Sequence, residues 1–139
     1  MINFHYETEF GLEEETKFSD WINRIILSED FSVGAINYIF CGDEYLLDIN
    51  QQYLKHDTYT DIITFDYTEG KLISSDIYIS IERVTENATD FKVAFKDELL
   101  RVMAHGILHL CGYKDKSEKD IVIMRRKEEA KIKLFHVEH

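Results

Sequence analysis

The sequence predicts an α+β fold: a small mixed β-sheet of about four strands packed by about five helices. Three observations lead there. Apolar residues alternate with period two in some segments and recur at helical spacing in others. The segments read in the order β-α-β-α-β-β-α-α-α. The chain has 139 residues, 45% hydrophobic and 13% aromatic, enough for one domain with a real core. It contains no proline, and it shows no linker, repeat or low-complexity tract, so residues 1–139 read as a single domain.

The elements follow in order. MINFHYE alternates Ile2, Phe4 and Tyr6 against Asn3, His5 and Glu7, which is the period of a strand. Phe18, Trp21, Ile22, Ile25 and Ile26 then fall on one face of an amphipathic helix. FSVGAINYIF is rich in β-branched and aromatic residues and ends at Cys41-Gly42-Asp43, a strand followed by a turn. DEYLLDINQQYL sets Leu46, Ile49 and Tyr53 on one helical face. TDIITFDY and LISSDIYISI are two further strands, with a turn at Thr68-Glu69-Gly70-Lys71 between them. A short helix is expected from about Glu82 to Asp90. FKDELLRVMAHGILHLCG is a helix apolar on nearly every side, expected to be buried and to end at Gly112. Ser117-Glu118-Lys119-Asp120 resembles a capping box and opens a last helix running to Phe135.

Sixteen basic residues stand against 27 acidic ones, a net charge of -11. That argues against sequence-independent binding to naked nucleic acid, where neutralised phosphates supply most of the affinity. It leaves room for a nucleic-acid enzyme with a local basic groove or a metal. The late basic residues Lys114, Lys116, Lys119, Arg125, Arg126, Lys127, Lys131 and Lys133 are interleaved with Glu118, Asp120, Glu128 and Glu129. They read as a solvated helix face. No secretory signal and no membrane span is visible, so the expected location is cytoplasmic. Cys41 and Cys111 form no CxxC pair, and each is expected to be reduced and buried.

The chemistry concentrates in AHGILHLCGYKDK. His105 and His109 are four apart on a helix, so both imidazoles lie on one face and can reach one ion. An arbitrary HxxxH is more often two hydrogen-bonded core histidines. Here the pair interrupts a strongly apolar helix, where uncompensated polar groups are costly. Gly112 then lets the chain turn back, and Asp115 is the natural third ligand. The metalloprotease form of the motif needs a glutamate base where this chain has Gly106, so that reaction is disfavoured. Gly106 instead lets another segment or a substrate approach the helix closely.

HGILHLCGYKD resembles the H-G-x-L-H-L-x-G-Y-D-H signature of the YbeY family, zinc-containing single-strand-specific endoribonucleases of ribosomal RNA maturation. INQQYLKHDTYTDIITFDY, SSDIYISIERVTENA, FKDELLRVMAHG and MRRKEEAKI resemble further family segments, in the family's order, over about two-thirds of the chain. The last of these matches through Met124 and Glu128. The resemblance implies a zincin-like metal helix and one Zn2+, or another divalent metal, on His105, His109 and Asp115. It also implies RNA cleavage in 16S 3′ end processing and ribosome quality control. The implied partners are single-stranded ribosomal RNA and the ribosome or its proteins, with no membrane and no DNA.

Several positions depart from the family pattern. Its third metal histidine falls on Asp115 and the preceding aspartate on Lys114. A carboxylate there gives a two-histidine-one-carboxylate set, whose bound water is less acidic than in a three-histidine site. The family's arginine falls on Leu54, its proline on Tyr59, and the glycine before Asp-Ile on Ser75. Lys55 and His56 are the adjacent candidates to replace the arginine, Lys55 as a point charge rather than a fork.

Asp61 is a candidate for shaping the cleft or orienting a ligand, against a plain strand-start role; Thr60 and Thr64 lie on the same segment. Asp76 is expected to make a structural hydrogen bond, Tyr113 to pack the loop holding Asp115, and Glu98 and Arg101 to pair at i, i+3. His5, His136 and His139 match nothing and are read as non-functional. Two rival functions remain at this level. One is another metal-dependent hydrolase or an iron oxygenase. The other is a non-catalytic ribosome-associated factor with a structural metal.

Overall fold

The computed structural model describes residues 1–137, so His139 lies outside the described residues. Four strands and five helices follow the order read from the sequence. They are β1 (Ile2–Tyr6), α1 (Glu15–Ser28), β2 (Ser32–Cys41), α2 (Asp43–Leu54), β3 (Ile62–Asp66), β4 (Leu72–Ser80), α3 (Ile81–Phe91), α4 (Phe95–Leu110) and α5 (Glu118–Phe135). The sheet runs β1-β2-β4-β3. β1, β2 and β4 are parallel, and β3 returns antiparallel to β4 as an edge strand, so the sheet is mixed.

The period-two pattern decides which side chains face the core. Phe4, Tyr38, Ile77 and Thr64 stand in register across the four strands. The row is apolar until the edge, where Thr64 brings a hydroxyl to the rim. α1 and α4 cover this face. Trp21, Ile22, Ile25 and Ile26 of α1 are fully buried, as are Leu100, Met103, Ala104 and Ile107 of α4. Tyr38 donates its hydroxyl to the Met103 carbonyl at 3.1 Å, tying the middle of the sheet to α4. On the opposite face α2 seals a smaller cluster of Cys41, Leu46 and Ile63.

α5 begins with the expected capping box between Ser117 and Asp120 and ends against α1. There Phe135 stacks edge-on to Trp21 with ring centroids 5.4 Å apart. α5 departs from a simple solvated face. Lys131 is buried, its ammonium 2.7 Å from Glu29 and 2.8 Å from the Ser28 hydroxyl. Lys127 reaches the same carboxylate at 3.3 Å. Both charges hold α5 on the end of α1, Lys131 turned in from water and Lys127 still partly exposed. Cys111 is likewise only half-buried, whereas Cys41 is buried. Burial pushes both thiols up, to about 12 for Cys41 and about 11 for Cys111, so both stay protonated and unreactive.

Candidate active site

The last two turns of α4 bring His105 and His109 to the open edge of the sheet. Gly106 makes that approach possible. A Cβ at this position would come 2.9 Å from Ile62 Cδ1, 3.5 Å from Thr64 Cγ2 and 3.6 Å from Ile77 Cγ2. The segment that comes close, left open by the sequence, is therefore β3. A single methyl at Gly106 is expected to be tolerated, because the end of Ile62 can swing. Gly106→Val should lower stability by about 1–3 kcal/mol through overpacking and displace Ile62 from the site wall. Urea unfolding checks this, and a Gly106→Val protein as stable as wild type would refute the close packing of β3 on α4.

After α4 the chain reverses at Gly112, whose φ of 105° lies in the region glycine favours. The returning loop carries Asp115 to the same edge. Thr60, Asp61, Ile62, Thr64, His105, Gly106, His109 and Asp115 together line a cleft of about 310 Å³. A larger hollow, about 940 Å³, lies beside Lys17, Arg24 and His136 at the far end of α5. It holds none of the chemistry-bearing residues singled out above, and size alone does not make it the site.

Within the cleft His105 is held from both sides. Its Nδ1 is 2.7 Å from Glu128 Oε2, and its Nε2 is 3.3 Å from Asp115 Oδ2. Glu128 comes from α5 and is 1% exposed, so its carboxylate is a fixed partner rather than a solvated one. The hydrogen bond to Glu128 raises the His105 pKa against the opposing effect of burial, and the charges of Glu128 and Asp115 add to the rise. His109 is exposed on the last turn of α4. Its ring makes no hydrogen bond among the described residues.

Asp61 forms the opposite wall. Its backbone carbonyl accepts from Ser80 N at 3.0 Å, and its carboxylate lies 3.8 Å from Arg101. Burial pushes the Asp61 carboxyl up, with Arg101 and His105 pulling it back. The loop with Asp115 is anchored two residues earlier. Tyr113 donates to Glu29 Oε1 at 2.6 Å, the same carboxylate that holds Lys131. Tyr113 thus positions the loop by a hydrogen bond as well as by packing.

Among the described residues no three His, Cys, Asp or Glu side chains stand as a ready-made metal cluster. His105 and Asp115 contact each other directly instead. The donor chemistry nonetheless fits a divalent ion. Two imidazoles sit one turn apart, a carboxylate faces one of them, and an outer carboxylate fixes that ring through its other nitrogen. A carboxylate on the far ring nitrogen commonly fixes the orientation and tautomer of a histidine ligand in this way.

Glu98 and Arg101 pair at 2.7 Å, as the i, i+3 spacing suggests. Asp76 accepts from Asn37 at 3.1 Å and from the Tyr67 hydroxyl at 3.4 Å, a structural role. Lys55 is the αL C-cap of α2 and His56 follows it; both are exposed, and neither lines the cleft. His5 sits on the outer face of the sheet beside Asn37, and His136 is exposed just after α5. Glu128 matches the family's M-x-x-x-E segment, but the sequence assigns it no place in the site. A second signal is that it lies within the buried stripe Met124, Glu128, Lys131, Phe135 of α5.

The family model for Endoribonuclease YbeY matches residues 3–136. The chain belongs to this family. Among its YbeY relatives, the protein named Endoribonuclease YbeY of Flavobacterium psychrophilum is 64% identical over 137 residues, covering 99% of this chain and 98% of the relative. The protein of that name in Flavobacterium johnsoniae is 62% identical over 138 residues and covers 99% of each chain. The one in Bacteroides thetaiotaomicron is 47% identical over 127 residues, 88% of this chain and 92% of the relative. A solution structure of a Thermotoga maritima protein superposes with a TM-score of 0.65 at 29% identity, over 97% of this chain and 89% of that one. The YbeY match spans the whole site, from β3 through α4 and its return loop to Glu128.

Proposed function

We propose that this YbeY-family chain is a zinc-dependent endoribonuclease that cuts single-stranded RNA. Its place is in ribosomal RNA maturation, at the 16S 3′ end, and in ribosome quality control in the cytoplasm. The relatives' name supports the reaction class. The observation that carries the reading is the His105 ring, fixed by buried Glu128 at Nδ1 and turned with Nε2 toward Asp115, in a cleft that also receives His109.

His105, His109 and Asp115 would hold the ion. A bound divalent metal supplies Lewis-acid polarisation of a phosphoryl oxygen and a water of lowered pKa. The chain's residues do the rest. Glu128 keeps the His105 Nδ1 proton in place, so that Nε2 is the nitrogen offered to the cleft. Asp61, its carboxyl raised by burial, would be the wall group to take a proton from an attacking hydroxyl. The hydroxyl-bearing Thr60 and Thr64 offer hydrogen bonds to a backbone laid along the edge strand. An ion also offsets the negative field that a net charge of -11 would otherwise present to RNA.

Removing the metal gives the direct test. Protein stripped by chelation should lose cleavage of a single-stranded RNA and regain it on stoichiometric zinc. Cleavage unaffected by chelation would overturn the proposal. Zinc binding should also weaken as pH falls. His105 must be neutral to bind, and its raised pKa extends proton competition to higher pH than for a free imidazole.

Asp115→Ala tests the unusual third ligand. Zinc affinity should drop by more than about tenfold, because a direct ligand counts for at least as much as an outer-shell partner. Unchanged affinity would remove Asp115 from the ligand set. RNA binding without cleavage by the zinc-loaded protein would favour the ribosome-associated factor instead.

A further inference from the structure

Behind the cleft lie more buried carboxylates than buried cations. Glu98 is 2% exposed and Glu128 1%, and Asp61 stands half-buried beside them. Ionised carboxylates without countercharge are costly at such depth. The guanidinium of Arg101 lies at the centre of all three, on the turn of α4 that precedes His105.

Its contacts divide by atom. Nε donates to Glu98 Oε1 at 2.9 Å and one terminal nitrogen to Glu98 Oε2 at 2.7 Å, a bidentate pair that fixes the plane of the group. That same nitrogen faces Asp61 Oδ2 at 3.8 Å. The other terminal nitrogen points to Glu128 Oε1 at 3.5 Å, while Glu128 Oε2 holds His105. One planar group thus spans α4, α5 and the start of β3. Arg125 also approaches Glu128, at 3.7 Å, but it is half-exposed and bears on one wall only.

We propose that Arg101 is the positioning residue that sets both walls of the cleft. It fixes His105 through Glu128, and it holds Asp61 directly. The inference rests on the metal reading for its effect on zinc, but not for its effect on the His105 ring. Arg101 does not replace the family arginine as a phosphate contact, because its donors are committed to carboxylates. Lysine cannot stand in for it, since a point charge lacks the fork that engages Glu98 while reaching two other groups.

The test uses the full chain as wild type, Arg101→Lys, and the double variant Glu98→Met/Arg101→Met. The double variant removes the bidentate Glu98–Arg101 pair together, so no half of it is left buried alone, and Glu128 keeps His105 and Arg125. Three readouts are taken: the slowly exchanging Nδ1–H proton of His105 by NMR in metal-free protein, zinc affinity by chelator competition, and kcat and KM on single-stranded RNA. Both variants should keep the wild-type fold by circular dichroism and lose the protected Nδ1–H signal. Zinc affinity should fall several-fold, short of the roughly 10–100-fold that losing Glu128, the direct partner of the His105 ring, would cost. At saturating zinc, kcat should fall more than KM rises. Arg101 is overturned as a positioning residue if Arg101→Lys keeps both the Nδ1–H signal and zinc affinity within about twofold of wild type. Should wild type itself neither bind zinc nor cleave RNA, the metal reading fails, and the Nδ1–H signal alone decides the role of Arg101.

Discussion

His109→Ala should abolish zinc-dependent cleavage of single-stranded RNA while leaving the protein folded. His109 sits exposed on the last turn of α4, and its ring has no hydrogen-bond partner among the described residues. Its removal leaves no buried group unsatisfied, and alanine is the better helix former. Its expected contribution is to the metal alone. Losing an outer-shell partner commonly costs about 10–100-fold, so losing a ligand should lower cleavage by more than about 100-fold.

The measurement is single-turnover cleavage of a labelled RNA, with thermal unfolding recorded on the same samples. Equal residual cleavage by wild type and His109→Ala would point to a contaminating nuclease. His105→Ala is the less clean variant. It leaves Glu128 Oε2 without its partner at 1% exposure, which costs about 1–3 kcal/mol, so lost activity would be confounded with lost stability.

Trp21→Ala should produce the largest loss of stability. Trp21 is fully buried where α1 meets α5. Its ring lies 5.4 Å from Phe135 and 6.4 Å from Phe18, and its Nε1 donates to the Lys131 carbonyl at 2.7 Å. Replacing a buried tryptophan by alanine costs about 3–5 kcal/mol through lost burial and the cavity left behind. Domains are stable by only about 5–15 kcal/mol, so this is a third or more of the total for a modestly stable one. The effect should also reach the site, because Lys131 on the same turn anchors Glu29, and Glu29 anchors Tyr113 at the Asp115 loop. Urea unfolding should show the loss as a lower midpoint. A change below about 1 kcal/mol would mean that α5 is not locked through this contact.

Much of the fold was readable because local periodicity carries it. The alternation of Ile2, Phe4 and Tyr6 and the helical spacing of Trp21, Ile22, Ile25 and Ile26 each report a single element's buried side. Strand order is different in kind. Nothing within β2 or β4 says that they pair in parallel with β3 outside them, since pairing is a property of segments far apart in sequence.

The site divides the same way. His105 and His109 share a helix face, and Gly112 announces the reversal that brings Asp115 back. Glu128 follows His105 by 23 residues, and only the packing of α5 on α4 joins them. Arg101 was readable as the partner of Glu98 one turn away, but not as the neighbour of Asp61 and Glu128. Lys131 shows the converse failure. Interleaved charges suggested a wet face, whereas its ammonium is drawn inward by Glu29, whose pKa is lowered by hydrogen bonds from Lys131, Tyr113 and Lys127 outweighing its burial.

Anomalous diffraction at the zinc edge, from crystals of zinc-loaded protein, reads the ligand set itself. One peak is expected, bonded at about 2.0–2.2 Å to ring nitrogens of His105 and His109 and to a carboxylate oxygen of Asp115. Zinc bound away from the two histidines, or held by them with Asp115 out of reach, would contradict it.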